Sequence, residues 1–400
     1  MRSYVVIGGG LAGLTAANAL AGEGHRVTLL EQSKHLGGRA QTQRQAGFLL
    51  NLGPHALYKG GVAAQTFSAW KIPFTGNLPP TGSQAFFVRE EQTYPLVRDL
   101  GKLMTTRLFS VREKIEAGKF FGQLTSGQAD FPQQSMHDWI SRRVSSERVY
   151  DFASAIIRTG TYAADMTSLS AAASLQQIAL ALKDNVMYLD GGWQTLVDGL
   201  EARARTLGVE IRCEQQIRHV NEIDAHGIVL AVGPASVEKL TGITLSKRSP
   251  LRMATLDLGL DRLPENAARV AFGLGSPLYY SVHSESARLA PEGGAMVHVA
   301  KYLDNTEQDT AQVREELEDF MTLLMPEWRR YAKVTRFLPN LTVAPMVPAP
   351  EGRPDVDVVG RENVTVAGDW VGPEGMLADA AVASALRAAR VIQQREVLVA

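Results

Sequence analysis

Tyr4-Val5-Val6-Ile7-Gly8-Gly9-Gly10-Leu11-Ala12-Gly13 is the stretch that decides how this chain is read. Its first four residues are aromatic or β-branched and predict a buried strand, which three glycines then end. Ala and Leu at helical spacing over 11–23 predict a helix, and 27–31 (VTLLE) predicts a second strand, so the segment reads as one βαβ unit. Gly8, Gly10 and Gly13 form a G-x-G-x-x-G. Gly8 permits the tight turn, Gly10 lets the backbone approach a pyrophosphate, and Gly13 lets the helix pack close to the strand. With Gly9, Leu11 and Ala12 they place free N–H groups and a positive dipole end where phosphates would sit. Glu31, followed by Gln32, closes the second strand. There its carboxylate is placed to accept ribose hydroxyls and would repel a 2′-phosphate, which disfavours NADP.

Outward from this unit, 47–52 and 84–89 predict strands, and 98–124 and 137–157 predict helices. Leu100, Met104, Leu108, Val111 and Ile115 form a stripe on the first of these helices. That segment is basic, and a basic amphipathic helix can lie on a membrane surface, so 98–124 is a candidate for peripheral membrane contact. The plainer reading is a substrate-domain helix with a solvated outer face. Further on, 193–206 predicts a helix, 208–213 a strand, and 228–232 (IVLAV) a buried strand. Strand-like runs fill 252–302, and 311–325 is an amphipathic helix ended by Pro326. Residues 340–354 are Pro-rich and read as a loop, followed by a buried strand at 364–367 and a helix over 378–393. Nucleotide-type strands thus occur at the start, the middle and the far end. This predicts one dinucleotide domain (1–75, 190–245, 350–400) interrupted twice by a second domain (76–189, 246–349).

Gly37-Gly38-Arg39 follows Glu31, and at this point the chain resembles the flavin amine oxidase and phytoene desaturase superfamily. Residues 51–57 (NLGPHAL), 228–234 (IVLAVGP) and 364–390 (VTVAGDWVGPEGMLADAAVASALRAAR) are similar to three further segments of that superfamily. The resemblance implies an α/β fold: a Rossmann-type FAD-binding domain built from discontinuous segments, with an inserted α+β substrate domain carrying a mixed sheet. It implies FAD, held non-covalently. Gly38 and Arg39 would lie at the diphosphate or beside the flavin, and the Ile217 backbone at the adenine. Gly53, Pro54, His55, Ala231 and Gly233 would shape contacts to the cofactor. Asp369 would accept a hydrogen bond from a cofactor hydroxyl, with Gly368 permitting the approach. Met376, Leu377, Ala378 and Ala381 would flank the flavin at the start of the last helix. The dipole end of that helix would stabilise the negative charge of reduced flavin.

What the resemblance leaves open is the substrate. Monoamine-oxidase-type members place an aromatic residue where this chain has Leu377, and a lysine on a strand where 252–258 (RMATLDL) has none. An apolar small-molecule substrate in the phytoene-desaturase-like branch is therefore favoured. Oxidation of a C–N bond and a non-redox isomerase remain the alternatives. His55 and Leu377 are the candidates for residues lining the flavin. Tyr279, Tyr280, His283, His298 and Lys301 are the candidates for the substrate pocket.

Composition narrows the rest. With 41 Lys plus Arg against 42 Asp plus Glu, the net charge of −1 argues against a nucleic-acid binder. One cysteine, Cys213, forbids an internal disulfide, a Cys₂ metal site and CxxC redox chemistry, and suits a reducing, cytoplasmic setting. No metal site is indicated. The apolar run 4–21 is too interrupted by glycine for a signal peptide, and no other segment reads as a membrane span.

Overall fold

In the computed structural model, residues 1–400 are described except 81, 83, 126–132, 307–308 and 398–400. The βαβ unit forms as predicted: strands Ser3–Ile7 and Arg26–Leu30 flank the helix Leu11–Gly22. They belong to a five-stranded sheet in the order Glu210–Arg212, Arg26–Leu30, Ser3–Ile7, Gly227–Leu230, Val364–Val366. All its pairings are parallel. Val6, Leu29, Val229 and Val366 are fully buried in it. Near-continuous apolar runs are what a parallel sheet covered on both faces demands. The helix Leu11–Gly22 packs on the last helix, Leu377–Val397.

A second, seven-stranded sheet runs Ala332–Ala344, Leu251–Leu260, Ala295–Leu303, Leu278–Val282, Val270–Gly273, Ala85–Arg89, Gln92–Pro95. It is antiparallel except where Val270–Gly273 runs parallel to Ala85–Arg89. The fold is thus α/β, with a discontinuous Rossmann-type sheet and a mixed sheet.

Three expectations need correction. The predicted helix 98–124 is two helices, Leu100–Thr105 and Val111–Thr125. Thr106 is extended, and Ser110 and Glu113 form a capping box that starts the second helix: Ser110 N donates to Glu113 Oε2 at 2.8 Å and Glu113 N to Ser110 Oγ at 3.4 Å. The predicted helix 137–157 is likewise two, Met136–Ser141 and Glu147–Thr161, the first begun by Ser135, whose Oγ accepts from Asp138 N. The supposed loop at 340 is the end of the long strand Ala332–Ala344, held by its pairing with Leu251–Leu260. A helix at Ala171–Asp184 also forms where none was expected.

Candidate active site

A cleft of about 520 Å³ runs from the end of the second strand across the glycine loop to the start of the last helix. Gly8 has φ 105°, and a Cβ on Gly13 would lie 1.8 Å from the Gly8 carbonyl oxygen, so helix and strand approach only because both are glycine. Gly10 is the N-cap, and a Cβ there would meet nothing nearer than 3.9 Å. The first-turn N–H groups of the helix are therefore free of a side-chain cap and border the cleft. Glu31 Oε2 accepts from Gly9 N at 2.6 Å and Oε1 from Ser33 N at 2.8 Å, which fixes the carboxylate beside Gln32 at one end.

Gly8, Gly9, Gly10, Leu11, Ala12, Gly38, Arg39, Pro54, His55, Ala231, Gly233, Gly368, Leu377, Ala378 and Ala381 also line this cleft. Gly13, Gly53 and Met376 lie behind the wall. Gly53 is buried at φ 80° and its carbonyl faces His55 Nδ1 at 3.0 Å. Ile217 is outside the lining and packs against the core of the parallel-sheet unit. Arg39 donates two bonds to Asp369, Nη1 to Oδ2 at 2.5 Å and Nη2 to Oδ1 at 2.8 Å, and another to the Val343 carbonyl. The Asp369 carboxylate expected at a cofactor hydroxyl is thus held by Arg39, and the pair spans the cleft wall.

The loop before the last helix is strapped by a residue that no motif flagged. The Arg353 guanidinium donates to the carbonyls of Asp369, Gly372, Glu374 and Gly375 at 2.7–3.1 Å. Burial pulls its pKa down to about 10. Beyond the strap, Leu377 takes φ 53°, a strained value for a non-glycine residue, as it enters the helix. Two residues on, Asp379 Oδ1 accepts from Ala63 N at 2.8 Å. Burial, with the charge of Glu374, pushes the Asp379 carboxyl up to about 6.

A second cavity, about 320 Å³, shares Pro54, His55, Ala56, Tyr58 and Tyr162 with the cleft. Its wall is built by strand alternation. On Leu278–Val282, Tyr279 and Ser281 face one side and Tyr280 and Val282 the other. Tyr279 and His283 line the cavity, whereas Tyr280 packs into the core on the opposite face and donates to the Ala268 carbonyl. Lys301 is also outside the lining and pairs with Glu316 at 2.5 Å. His298 stands one layer behind His283, with ring centroids 4.5 Å apart. Phe87, Phe121 and Phe272 continue the wall, and a collar of Tyr58, Tyr162, Tyr188, Tyr279 and Tyr302 surrounds the junction. Burial raises the pKa of all five phenols, Tyr58 to about 12.

Behind the wall lies a buried polar chain. Asp257 is fully buried and holds His298 Nδ1 at 2.6 Å through Oδ1 and Arg336 Nη2 at 2.6 Å through Oδ2. His298 Nε2 and both ring nitrogens of His283 have no partner among the described residues. His283 stacks on Tyr188 at 3.8 Å. Burial, and then the neighbouring His298 and His55, hold His283 far below the usual histidine range. His55 packs on Trp193, and burial lowers it to about 4, so its ring is neutral. With Nδ1–H donating to the Gly53 carbonyl, Nε2 is the acceptor atom.

Residues 11–240 match the family model described as flavin containing amine oxidoreductase. A stretch of 103 residues is 40% identical to an L-amino-acid oxidase of Bungarus fasciatus, covering 25% of this chain but only 18% of that protein. Among solved structures, an oxidoreductase from Methanosarcina mazei superimposes with a TM-score of 0.78 at 17% identity, over 96% of this chain and 99% of that one. Cyclohexylamine oxidase from Brevibacterium oxydans does so with a TM-score of 0.71 at 15% identity over the whole of both chains. These two likenesses establish the fold. The match over more than half of the chain establishes the class: a flavin-dependent oxidoreductase. The chain belongs to the flavin-containing amine oxidoreductase family, whose cofactor is FAD, and the glycine loop, the open Gly10 backbone and Glu31 fit a dinucleotide of that kind.

Proposed function

We propose that the chain takes a hydride from a largely apolar small molecule, as in the phytoene-desaturase-like branch, and passes the electrons to oxygen, a quinone or another diffusible acceptor. The supporting observation is the cavity that joins the cleft at Pro54, His55, Tyr58 and Tyr162: no charged side chain stands in its described lining. A carboxylate-bearing substrate needs a cation on that wall. Arg158 has Nε and Nη1 unpartnered among the described residues, but it stands beside Tyr302 rather than in the lining.

FAD, when bound, supplies the two-electron acceptor. Of this chain's residues, Arg39 and the glycine loop would bind and orient it, Leu377 would flank it in the cleft, and Pro54, which lines both the cleft and the cavity, would help exclude water where the two meet. His283 is the group placed to hydrogen-bond a substrate in the cavity, with Asp257 fixing the tautomer of His298 behind it. Its two nitrogens are unpartnered among the described residues, and burial makes the ring a weak base, so its part is to orient the substrate. The FAD is non-covalent in this reading: Cys213 lies outside the cleft lining, and His55 is engaged with Gly53 and Trp193. The lone cysteine supports a cytoplasmic setting.

One observation favours the second reading, oxidation of an amine. The collar of five neutral tyrosines can hold a cation over its ring faces. Anaerobic mixing of the purified yellow protein with apolar polyenes and alicyclic compounds on one side, and mono- and polyamines on the other, separates the readings. Bleaching of the flavin band by an apolar compound with amines inert is the expected result. Rapid bleaching by a simple primary amine overturns it, and product formed only after prior reduction of the flavin, with no net change in its redox state, assigns the isomerase alternative.

A further inference from the structure

The stripe on the segment 98–124 faces away from the core. Leu100, Met104, Val111 and Ile115 are 69%, 67%, 76% and 59% exposed, and only Leu108 is buried. Seven large hydrophobic side chains are exposed among the described residues, and four of them are these. Leu100 and Met104 are one turn apart on the first short helix, and Val111 and Ile115 one turn apart on the second, so each pair shares a face. Lys114 Nζ donates to the Met104 carbonyl at 2.8 Å, which brings the two faces together.

The charges around this apolar surface are mostly basic, and Asp99, the exposed acid that caps the first helix, stands 3.8 Å from Arg98. Lys102, Arg107, Arg112 and Lys119 are exposed and make no ion pair within 4 Å among the described residues. The acids of the same helix are turned inward instead. Glu113 Oε1 accepts from Ser146 Oγ at 2.8 Å, and Glu116 accepts from the backbone of Ser145 and Ser146 at 2.6 and 3.1 Å. Hydrogen bonds from these serines and the nearby arginines hold both carboxyls below the usual range, against the opposing effect of burial. The surface therefore presents Lys102, Arg107 and Lys119, with Arg112 whose charge also acts on Glu116, around protruding aliphatic side chains on a chain whose net charge is −1.

We propose that the helices Leu100–Thr105 and Val111–Thr125 form a docking surface for an anionic lipid bilayer. The aliphatic side chains enter below the headgroups, and the long basic side chains stay at headgroup level. A protein partner would be expected to meet a groove or a paired acid, whereas here the apolar groups protrude and the exposed cations make no ion pair within 4 Å among the described residues. Phe121, on the same helix as Val111 and Ile115, lines the apolar cavity. Docking thus places that wall near the source of an apolar substrate. The docking inference does not depend on the substrate reading, because its test involves no turnover.

The test is co-sedimentation of the full-length holoprotein with vesicles of phosphatidylserine and phosphatidylcholine, beside vesicles of phosphatidylcholine alone. Binding to the first kind, weakened by salt, is expected. Arg112→Glu and Lys119→Glu each weaken partition by at least about fivefold, and Val111→Glu with Ile115→Glu abolishes it. Flavin content and circular dichroism stay at wild-type levels, because these side chains are solvated. No binding to anionic vesicles, or binding that the four substitutions leave unchanged, overturns the proposal. So does a sedimentation analysis in which the same substitutions dissolve an oligomer, since the surface would then be an interface between copies of this chain.

Discussion

Replacing Asp379 by asparagine is the sharpest probe of how the last helix is set against the cleft. The Asp379 carboxyl is 3% exposed and raised from its ordinary 3.8 to about 6, chiefly by burial. A raised acid binds its proton more tightly in the folded than in the unfolded chain. Folding stability therefore falls as the pH rises from about 4 to about 6, and the loss is complete above that window. At 1.36 kcal/mol per pH unit, the difference amounts to about 3 kcal/mol. Asparagine keeps an acceptor for Ala63 N, now at 2.8 Å from Oδ1, but cannot ionise. At pH 8 Asp379→Asn should gain up to about 3 kcal/mol, which for a chain of this length is a few degrees in the melting temperature. At pH 4.5, where the folded carboxyl is mostly protonated, the gain should shrink to about 1 kcal/mol. Chemical denaturation of both proteins at pH 4.5, 6 and 8 measures this directly. A variant equally destabilised at all three values would show that the carboxylate is held ionised by contacts stronger than its burial, and would refute the reasoning.

Three further outcomes are expected. His283→Phe keeps the shape and removes two unpartnered buried nitrogens, so thermal stability holds or rises, while flavin reduction by substrate slows by about tenfold through loss of a positioning hydrogen bond. Unchanged reduction in stopped flow would remove His283 from the chemistry. Arg353→Met frees four carbonyls of the 369–375 loop and should cost about 3 kcal/mol or more together with FAD affinity. Equilibrium dialysis and denaturant titration read the two losses. Acid precipitation should release all the flavin into the supernatant, and colour in the pellet would point to attachment at His55.

What could be read in the chain, and what could not, divides along the range of the forces involved. The glycine loop, its strands and Glu31 are legible because each depends on neighbours in sequence: a tight turn, a close helix contact, a carboxylate at a strand end. The last helix is legible for the same reason, from its alanines and the Gly368-Asp369 turn. The helix breaks at Thr106 and Arg142 are hidden although the Ser110–Glu113 capping box stands in the sequence, because the apolar spacing runs across it. Ile217 was assigned by resemblance alone and lies outside the cleft.

The substrate side was legible only as a set of candidates. Along Leu278–Val282 and Ala295–Leu303 the period of two says that Tyr279 and Tyr280 part company, as do Lys301 and Tyr302. It does not say which member faces the cavity, since both faces of this sheet are covered. That choice is made by packing. The helix Thr310–Leu324 covers one face with apolar side chains and accepts Lys301 through Glu316. The tyrosine collar, the Asp257–His298 pair and His283 are left to the other face. The outward turn of Leu100, Met104, Val111 and Ile115 is of the same kind. A period of 3.6 defines an apolar face, but only contacts with distant segments decide whether that face is buried. The sequence by itself determined the dinucleotide fold, because that rests on local backbone geometry, and it pointed to FAD only through its family resemblance. The tertiary structure alone decided the cavity, the Arg353 strap and the exposed basic surface, because each joins residues brought together only by long-range burial.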